Sequence, residues 1–303
     1  MAPNMPETRE TRVANMDADT NLLFAVPKKG RLYDNVVNFL NGAGLEYNRP
    51  HRLDIAHCTS LPVTLVFLPA SDIAAYVGDG NVDLGITGQD IVAETRTLVH
   101  EEMAMGFGKC SLSVQAPIKD GVKDVAEIAG KRVVTSFPNI AGDYFRQFGS
   151  QRPTQIKYVA GSVEAACGLG LADAIVDLVE TGTTMKAAGL EVIGTIMKTE
   201  AVLISNPNTK HAKLVAKIRK RLLGFQTAQK FRMISYNVAK SALKHAIAVS
   251  PGRRAPTIST LLDDQFCAVN VMVDRHAVAD IMDDLYDVGA TDIMVFDMEN
   301  CRA

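Results

Sequence analysis

The chain has little of what would mark several large functional classes. Its 303 residues carry 32 Lys and Arg against 34 Asp and Glu, a net charge of −2. No overall basic field therefore draws it to nucleic acid or to an anionic membrane. The five cysteines, Cys58, Cys110, Cys167, Cys267 and Cys301, are odd in number and lack CxxC spacing. That pattern argues against a structural zinc site or a disulfide framework and fits a reducing, cytoplasmic compartment. The six histidines form no HxxxH pair, so no histidine metal site is read from them. No apolar run approaches the roughly 18 residues of a membrane span. Residues 1–20 are polar, lack the apolar segment of a secretory signal, and read as a disordered extension.

What is present is a balance of 47% hydrophobic and 22% charged residues, that of a globular protein too long for one core. Strand and helix signals alternate from residue 21. Leu22–Val26, Val63–Leu68 and Val82–Thr87 read as strands, with helices at Leu32–Leu40 and Ser71–Val77. A second set has strands at Lys131–Thr135, Gln155–Val159 and Ala174–Val179, with helices at Ala141–Phe148 and Val163–Leu169. Glu191–Ile196 and Thr199–Ile204 close it. This alternation predicts parallel, helix-covered sheets. The helix predicted at Lys210–Gly224 carries six Lys and Arg residues, read as the solvated face of an amphipathic helix. The rhythm then changes. Arg232–Val238, Thr257–Leu262, Ala268–Val273 and Asp292–Asp297 read as strands, with helices at Lys240–Ala248 and His276–Val288. That βαββαβ order is ferredoxin-like.

One segment is rich in chemistry. The apolar strand of Ala172-Asp173-Ala174-Ile175-Val176-Asp177-Leu178-Val179 runs into Glu180-Thr181-Gly182-Thr183-Thr184. A small, hydroxyl-bearing turn at a helix start offers free N–H groups and hydroxyl donors to one phosphate. Asp173 and Asp177 repel phosphate and suit ribose hydroxyls or a Mg²⁺ ion. The competing reading is a plain helix cap at Thr181 or Thr183. A second candidate, Pro27-Lys28-Lys29-Gly30-Arg31, sets three cations at a strand's carboxyl end, where open α/β sheets bind ligands. They suit a triphosphate or pyrophosphate, and a solvated loop is the alternative. Gly88-Gln89-Asp90 lies at an equivalent strand end and suits base or ribose, or else is a Gly turn with an Asp cap.

Together these segments resemble the long form of ATP phosphoribosyltransferase over residues 22–303. The resemblance rests on P-K-K-G-R-L (27–32), V-D-L-G-I-T-G-Q-D (82–90), A-D-A-I-V-D-L-V-E-T-G-T-T (172–184), P-G-R-R-A-P-T-I (251–258) and the terminal D-M-E-N-C-R-A. It implies two α/β domains like those of periplasmic binding proteins, spanning 21–115 with 205–225, and 116–204. It also implies a C-terminal ferredoxin-like histidine-binding domain at 231–303. The implied reaction is Mg²⁺-dependent transfer of phosphoribosyl from phosphoribosyl pyrophosphate (PRPP) to N1 of ATP, the first step of histidine biosynthesis. The 5′-phosphate of PRPP is expected on Thr181, Gly182, Thr183 and Thr184, with Asp173, Asp177 and Glu180 along its ribose. Lys28, Lys29, Gly30 and Arg31, with Gly88, Gln89 and Asp90, are expected to face the nucleotide and pyrophosphate. Of these, Lys28, Arg31, Asp177 and Glu180 are the expected catalytic groups. Asn237, Thr257 and Thr291 fall where the family holds histidine as an inhibitor. A homo-oligomer, dimer and hexamer, is implied. The chain departs from the family pattern at Pro69-Ala70-Ser71-Asp72, where a basic residue is frequent, and at Ala188, where Asn is common. A two-lobed binding protein without catalysis is the alternative.

Overall fold

The computed structural model describes residues 21–49 and 53–302. The expected N-terminal extension and His51 lie outside the described residues. The described residues form two compact units, one of residues 21–37 with the described part of 46–215, the other of residues 38–45 with 216–302.

The first unit holds two sheets. In one, β1 (Leu22–Pro27), β3 (Val63–Leu68) and β4 (Leu84–Gly88) run parallel. Their side chains are nearly all buried, as strands covered on both faces require. The full order is β2-β3-β1-β4-β11-β5, with β2 at Ile55–His57, β5 at His100–Ala104 and β11 at Ala201–Ser205. The second sheet repeats the plan. β7 (Arg132–Thr135), β8 (Gln155–Tyr158) and β9 (Ala174–Val179) are parallel. Its order is β10-β6-β9-β7-β8, with β6 at Cys110–Pro117 and β10 at Leu190–Thr199.

Each trio of parallel strands is flanked by an antiparallel strand that adjoins a crossover: β6 follows the outward passage, and β11 follows the return. The expected purely parallel sheets are thus mixed. The expected boundaries also move. Residues 110–115 belong to the second sheet, 201–204 to the first, and 216–225 to the second compact unit. The two passages are tied together where Met105 N donates to Ala201 O at 2.8 Å and Ala201 N to Phe107 O at 3.0 Å. This is the two-lobed build of periplasmic binding proteins.

The second unit contains a four-stranded antiparallel sheet ordered β13-β14-β12-β15, at Thr257–Thr260, Phe266–Asp274, Phe231–Ala239 and Thr291–Phe296. Helices Leu243–Val249 and Val278–Asp287 cover one face, and the order matches the ferredoxin-like expectation. Ile234, Tyr236 and Val238 alternate into that core with Val269, Val271 and Leu285, the period of two that a one-sided sheet demands. Each fully buried side chain of this kind stabilises by about 1.5–3 kcal/mol.

Candidate active site

The site is assembled at carboxyl ends of strands from both lobes of the first unit. β9 ends at Val179, and Gly182 then adopts φ +75° before the short helix Thr183–Ala187. That backbone conformation is readily open only to glycine. It folds Thr181 back so that its hydroxyl lies 3.0 Å from that of Thr183. The Glu180–Thr184 turn, with Arg31 opposite, lines a cavity of about 230 Å³. Arg31 comes from the loop after β1. Its Nη1 donates to Gly108 O at 3.1 Å and lies 3.9 Å from Glu180 Oε2.

A neighbouring cavity of about 170 Å³ is lined by Lys29, Gly30, Arg31, Gly88 and Asp90, with Ile91, Phe137 and Leu178 among its apolar groups. Arg31 and Leu178 line both cavities. Ala70, in the Pro69–Asp72 segment that departs from the family pattern, lines the second cavity with a methyl group only.

The carboxylates differ in surroundings. Burial pushes the Asp177 carboxyl above the usual range, against a hydrogen bond from Leu178 N at 2.8 Å and the charge of Arg31. Asp173 does not join the site. It precedes β9 while Glu180 follows it, and the six intervening residues span about 20 Å at 3.3 Å each. Both its oxygens are taken by Arg132, with Nη2 at 2.8 Å, Nε at 3.1 Å and the backbone N at 3.0 Å. The Arg132 side chain holds its carboxyl below the ordinary value. Asp173 is thus engaged by Arg132 at the far end of β9 from the turn.

Three other expectations are refined. Lys28 Nζ lies 3.6 Å from Asp54, and Lys28 lines neither cavity. Gln89 Nε2 donates to Glu101 at 3.2 Å and likewise lines neither. Asp90 is 2% exposed and accepts from Thr199 Oγ1 at 2.8 Å. A Cβ on Gly88 would overlap the Asp90 carboxylate, so glycine is demanded there by close approach. Ile91 and Phe137 line the second cavity as well. No motif marks them: Ile91 is an apolar helix position, and Phe137 comes from the other lobe. Cys110 lines neither cavity, and burial pushes its thiol up.

In the second unit, Asn237 pairs in register with Thr291. Asn237 Nδ2 donates to Asp292 Oδ2 at 2.9 Å, and Thr291 Oγ1 approaches the same oxygen at 3.4 Å. Thr257 pairs with Asn270 on the edge strand, two strands from Asn237. Ser235, Asn237, Thr257 and Asn270 share the face opposite the buried core.

Cations from one lobe thus face a hydroxyl-lined turn of the other. Residues 69–224 match the HisG family profile, described as ATP phosphoribosyltransferase, and residues 228–300 match the HisG C-terminal domain. The chain is 50% identical over 298 residues to an ATP phosphoribosyltransferase of Candida glabrata, covering 93% of this chain and 96% of that one. It is 49% identical over 286 residues to that of Saccharomyces cerevisiae, with the same coverage. The ATP phosphoribosyl transferase (HisG:HisZ) complex from Thermotoga maritima superposes with a TM-score of 0.59 at 27% identity, over 67% of this chain and 96% of that chain. The chain belongs to the ATP phosphoribosyltransferase family, the transferases of the first step of histidine biosynthesis. Among the described residues, no helix is long and apolar enough to cross a membrane.

Proposed function

We propose that the first unit transfers phosphoribosyl from PRPP to N1 of ATP and releases pyrophosphate. The observation that carries this reading is the position of Arg31, which lines both the threonine-turn cavity and the cavity of the Lys29–Gly30 loop. The 5′-phosphate of PRPP sits on Thr181–Thr184, and Asp177 and Glu180 lie along its ribose. The nucleotide occupies the neighbouring cavity, between Gly30 and Gly88. Attack by adenine N1 on ribose C1 builds positive charge on the sugar and negative charge on the leaving pyrophosphate. Asp177 and Glu180 favour the first, and Lys29 and Arg31 the second. No side chain needs to act as a nucleophile. The lobes hold both substrates in line and exclude water.

The donor set fits a metal that arrives with its substrate. Among the described residues, no cluster of three or more acidic, cysteine or histidine side chains could hold an ion. Mg²⁺ is commonly held by one or two carboxylates plus substrate phosphates. Glu180 is the carboxylate in place, and Mg²⁺ would supply charge neutralisation to the pyrophosphate. The second unit binds histidine through the polar sheet face of Asn237, Thr257 and Thr291, and the enzyme works in the cytoplasm as a homo-oligomer, dimer and hexamer.

The test measures pyrophosphate and an N1-ribosylated ATP product from the purified full chain, with and without Mg²⁺ and histidine. Production of both compounds, abolished by chelation and reduced by histidine, is the expected result. Binding of PRPP without pyrophosphate release would favour a two-lobed binding protein. Histidine should inhibit a Thr257→Ala chain less than the parent; equal potency would move the inhibitor site elsewhere.

A further inference from the structure

The two lobes of the first unit are joined by a second set of contacts that takes no part in the chemistry above. Helix Gln89–Thr95 of the first lobe ends against helix Pro138–Phe145 of the second. The Glu94 carboxylate accepts from the backbone N–H of Asn139 at 2.9 Å and of Ile140 at 3.0 Å. It thereby satisfies donors that the first turn of a helix leaves without partners. Asn139 Nδ2 returns a hydrogen bond to Glu94 O at 2.9 Å. One residue past the helix end, Arg96 Nη2 lies 2.7 and 2.9 Å from the two oxygens of Asp143. Asp143 is also paired with Arg146 on its own helix. Between these bonds and the cleft, Ile91 packs against the cores of both lobes.

The backbone of Arg96 adds a separate observation. It has φ +53° at the helix C-cap, a conformation that Gly or Asn adopts more readily. An arginine there carries backbone strain that glycine would not, and its side chain spans the two lobes.

We infer that Glu94 and Arg96 are positioning residues that hold the lobes in the closed relation the cleft needs. The contact across the cleft, Arg31 to Glu180 at 3.9 Å, and the clasp at Glu94 and Arg96 occur in one arrangement. On this inference, separating the helices also widens the cleft. The role rests on the phosphoribosyl-transfer reading, because it is PRPP and ATP that the closed lobes hold.

The decisive comparison uses the full chain, Glu94→Gln, Arg96→Gly, the double variant, and Arg96→Lys as the conservative control. PRPP affinity is read by titration, kcat and KM by pyrophosphate release, and opening by amide exchange at Asn139 and Ile140. Arg96→Gly relieves the backbone while deleting the clasp, so a loss in that variant belongs to the side chain. In the double variant the PRPP Kd and KM should rise about threefold to tenfold, the range that a few exposed charge-assisted bonds span. Its kcat should stay within about twofold and exchange at 139 and 140 should accelerate, while Arg96→Lys recovers part of the affinity. Unchanged Kd and KM overturn the proposal, whether or not exchange accelerates. An equal fall in kcat with unchanged KM also overturns it, since that places the residues in the chemistry. An unchanged chain that neither binds PRPP nor releases pyrophosphate overturns the assigned reaction and this role with it, and that result is visible before any variant is made.

Discussion

The two lobes share an architecture and differ in what they present. Each has three parallel strands flanked by an antiparallel strand at a crossover. The first lobe offers cations on a loop, Lys29 and Arg31 after β1. The second offers a turn of hydroxyls and N–H groups that starts at Glu180, with Asp177 earlier on β9 and lining neither cavity. The proposed reaction, whose reactants are anionic at both ends and cationic in the middle, draws on both sides of this division. On the proposed reading catalysis needs the two sides together, so substitutions should act according to which side they remove and how nearly that side touches the other.

The sharpest way to break the pairing is at Arg31, the residue common to both cavities. Arg31→Met should lower kcat/KM by about a hundredfold, the scale of losing one donor to developing charge. Pyrophosphate-release kinetics would show it, and a change under threefold would remove Arg31 from the chemistry. Next comes the second lobe's turn. Gly182→Val puts a β-branched residue at φ +75°, a strain of about 1–3 kcal/mol. The turn should reshape and PRPP affinity fall by about tenfold or more, with the circular dichroism spectrum retained. Titration with PRPP is the measurement, and normal affinity in a folded variant would vacate the site.

A smaller effect is expected at Asp177→Asn, about a tenfold loss in kcat/KM, or ~1.4 kcal/mol. Its stability should move the other way. Burial raises the folded-state carboxyl above its unfolded value. Its stabilising contribution is therefore present below the ordinary carboxylate range and lost as pH rises through the raised folded value. At neutral pH the charged form is penalised, so Asn should leave Tm equal or higher while activity drops. Thermal melts at pH 4 and pH 7 test this, the gain from Asn being confined to the higher pH.

The smallest effect on turnover belongs to Asp173→Asn, at the far end of the same strand. It weakens the Arg132 pair and should lower Tm while leaving kcat/KM within about twofold. A selective rise in the KM for PRPP would return Asp173 to the site and undo the contrast between the two ends of β9.

Much of this was legible in the residues. Buried parallel strands such as Val63–Leu68 announce themselves as apolar runs, and Glu180–Thr184 stands out as a hydroxyl-rich turn after one. Other elements gave weaker signals. β5, His100–Ala104, is an edge strand carrying His100, Glu101 and Glu102, so it lacks the apolar signature. β6, Cys110–Pro117, buries Ser113 and Gln115 among its apolar residues, which masks a strand wholly inside the fold. Asp173 and Asp177 are four residues apart with similar neighbours. They differ in place, Asp173 before β9 and Asp177 within it, and in the Arg132 that Asp173 meets from the adjacent strand, a partner that spacing along the chain does not encode. The Glu94 clasp was illegible for the same reason, since its partners lie 45 and 46 residues away.

The threading of the chain between lobes has a consequence for synthesis. β11 lies between β4 and β5 in the first sheet, yet it is made last, after the whole second lobe. A ribosome adding 5–20 residues per second would need about 5–20 s to pass from β5 to β11. During that interval β4 has an open edge and β5 has no neighbour, while the second lobe, contiguous from Cys110 to Thr199, has all its strands. The lobe begun first is thus finished second, and its exposed edge is the surface that a nascent-chain chaperone would have reason to cover.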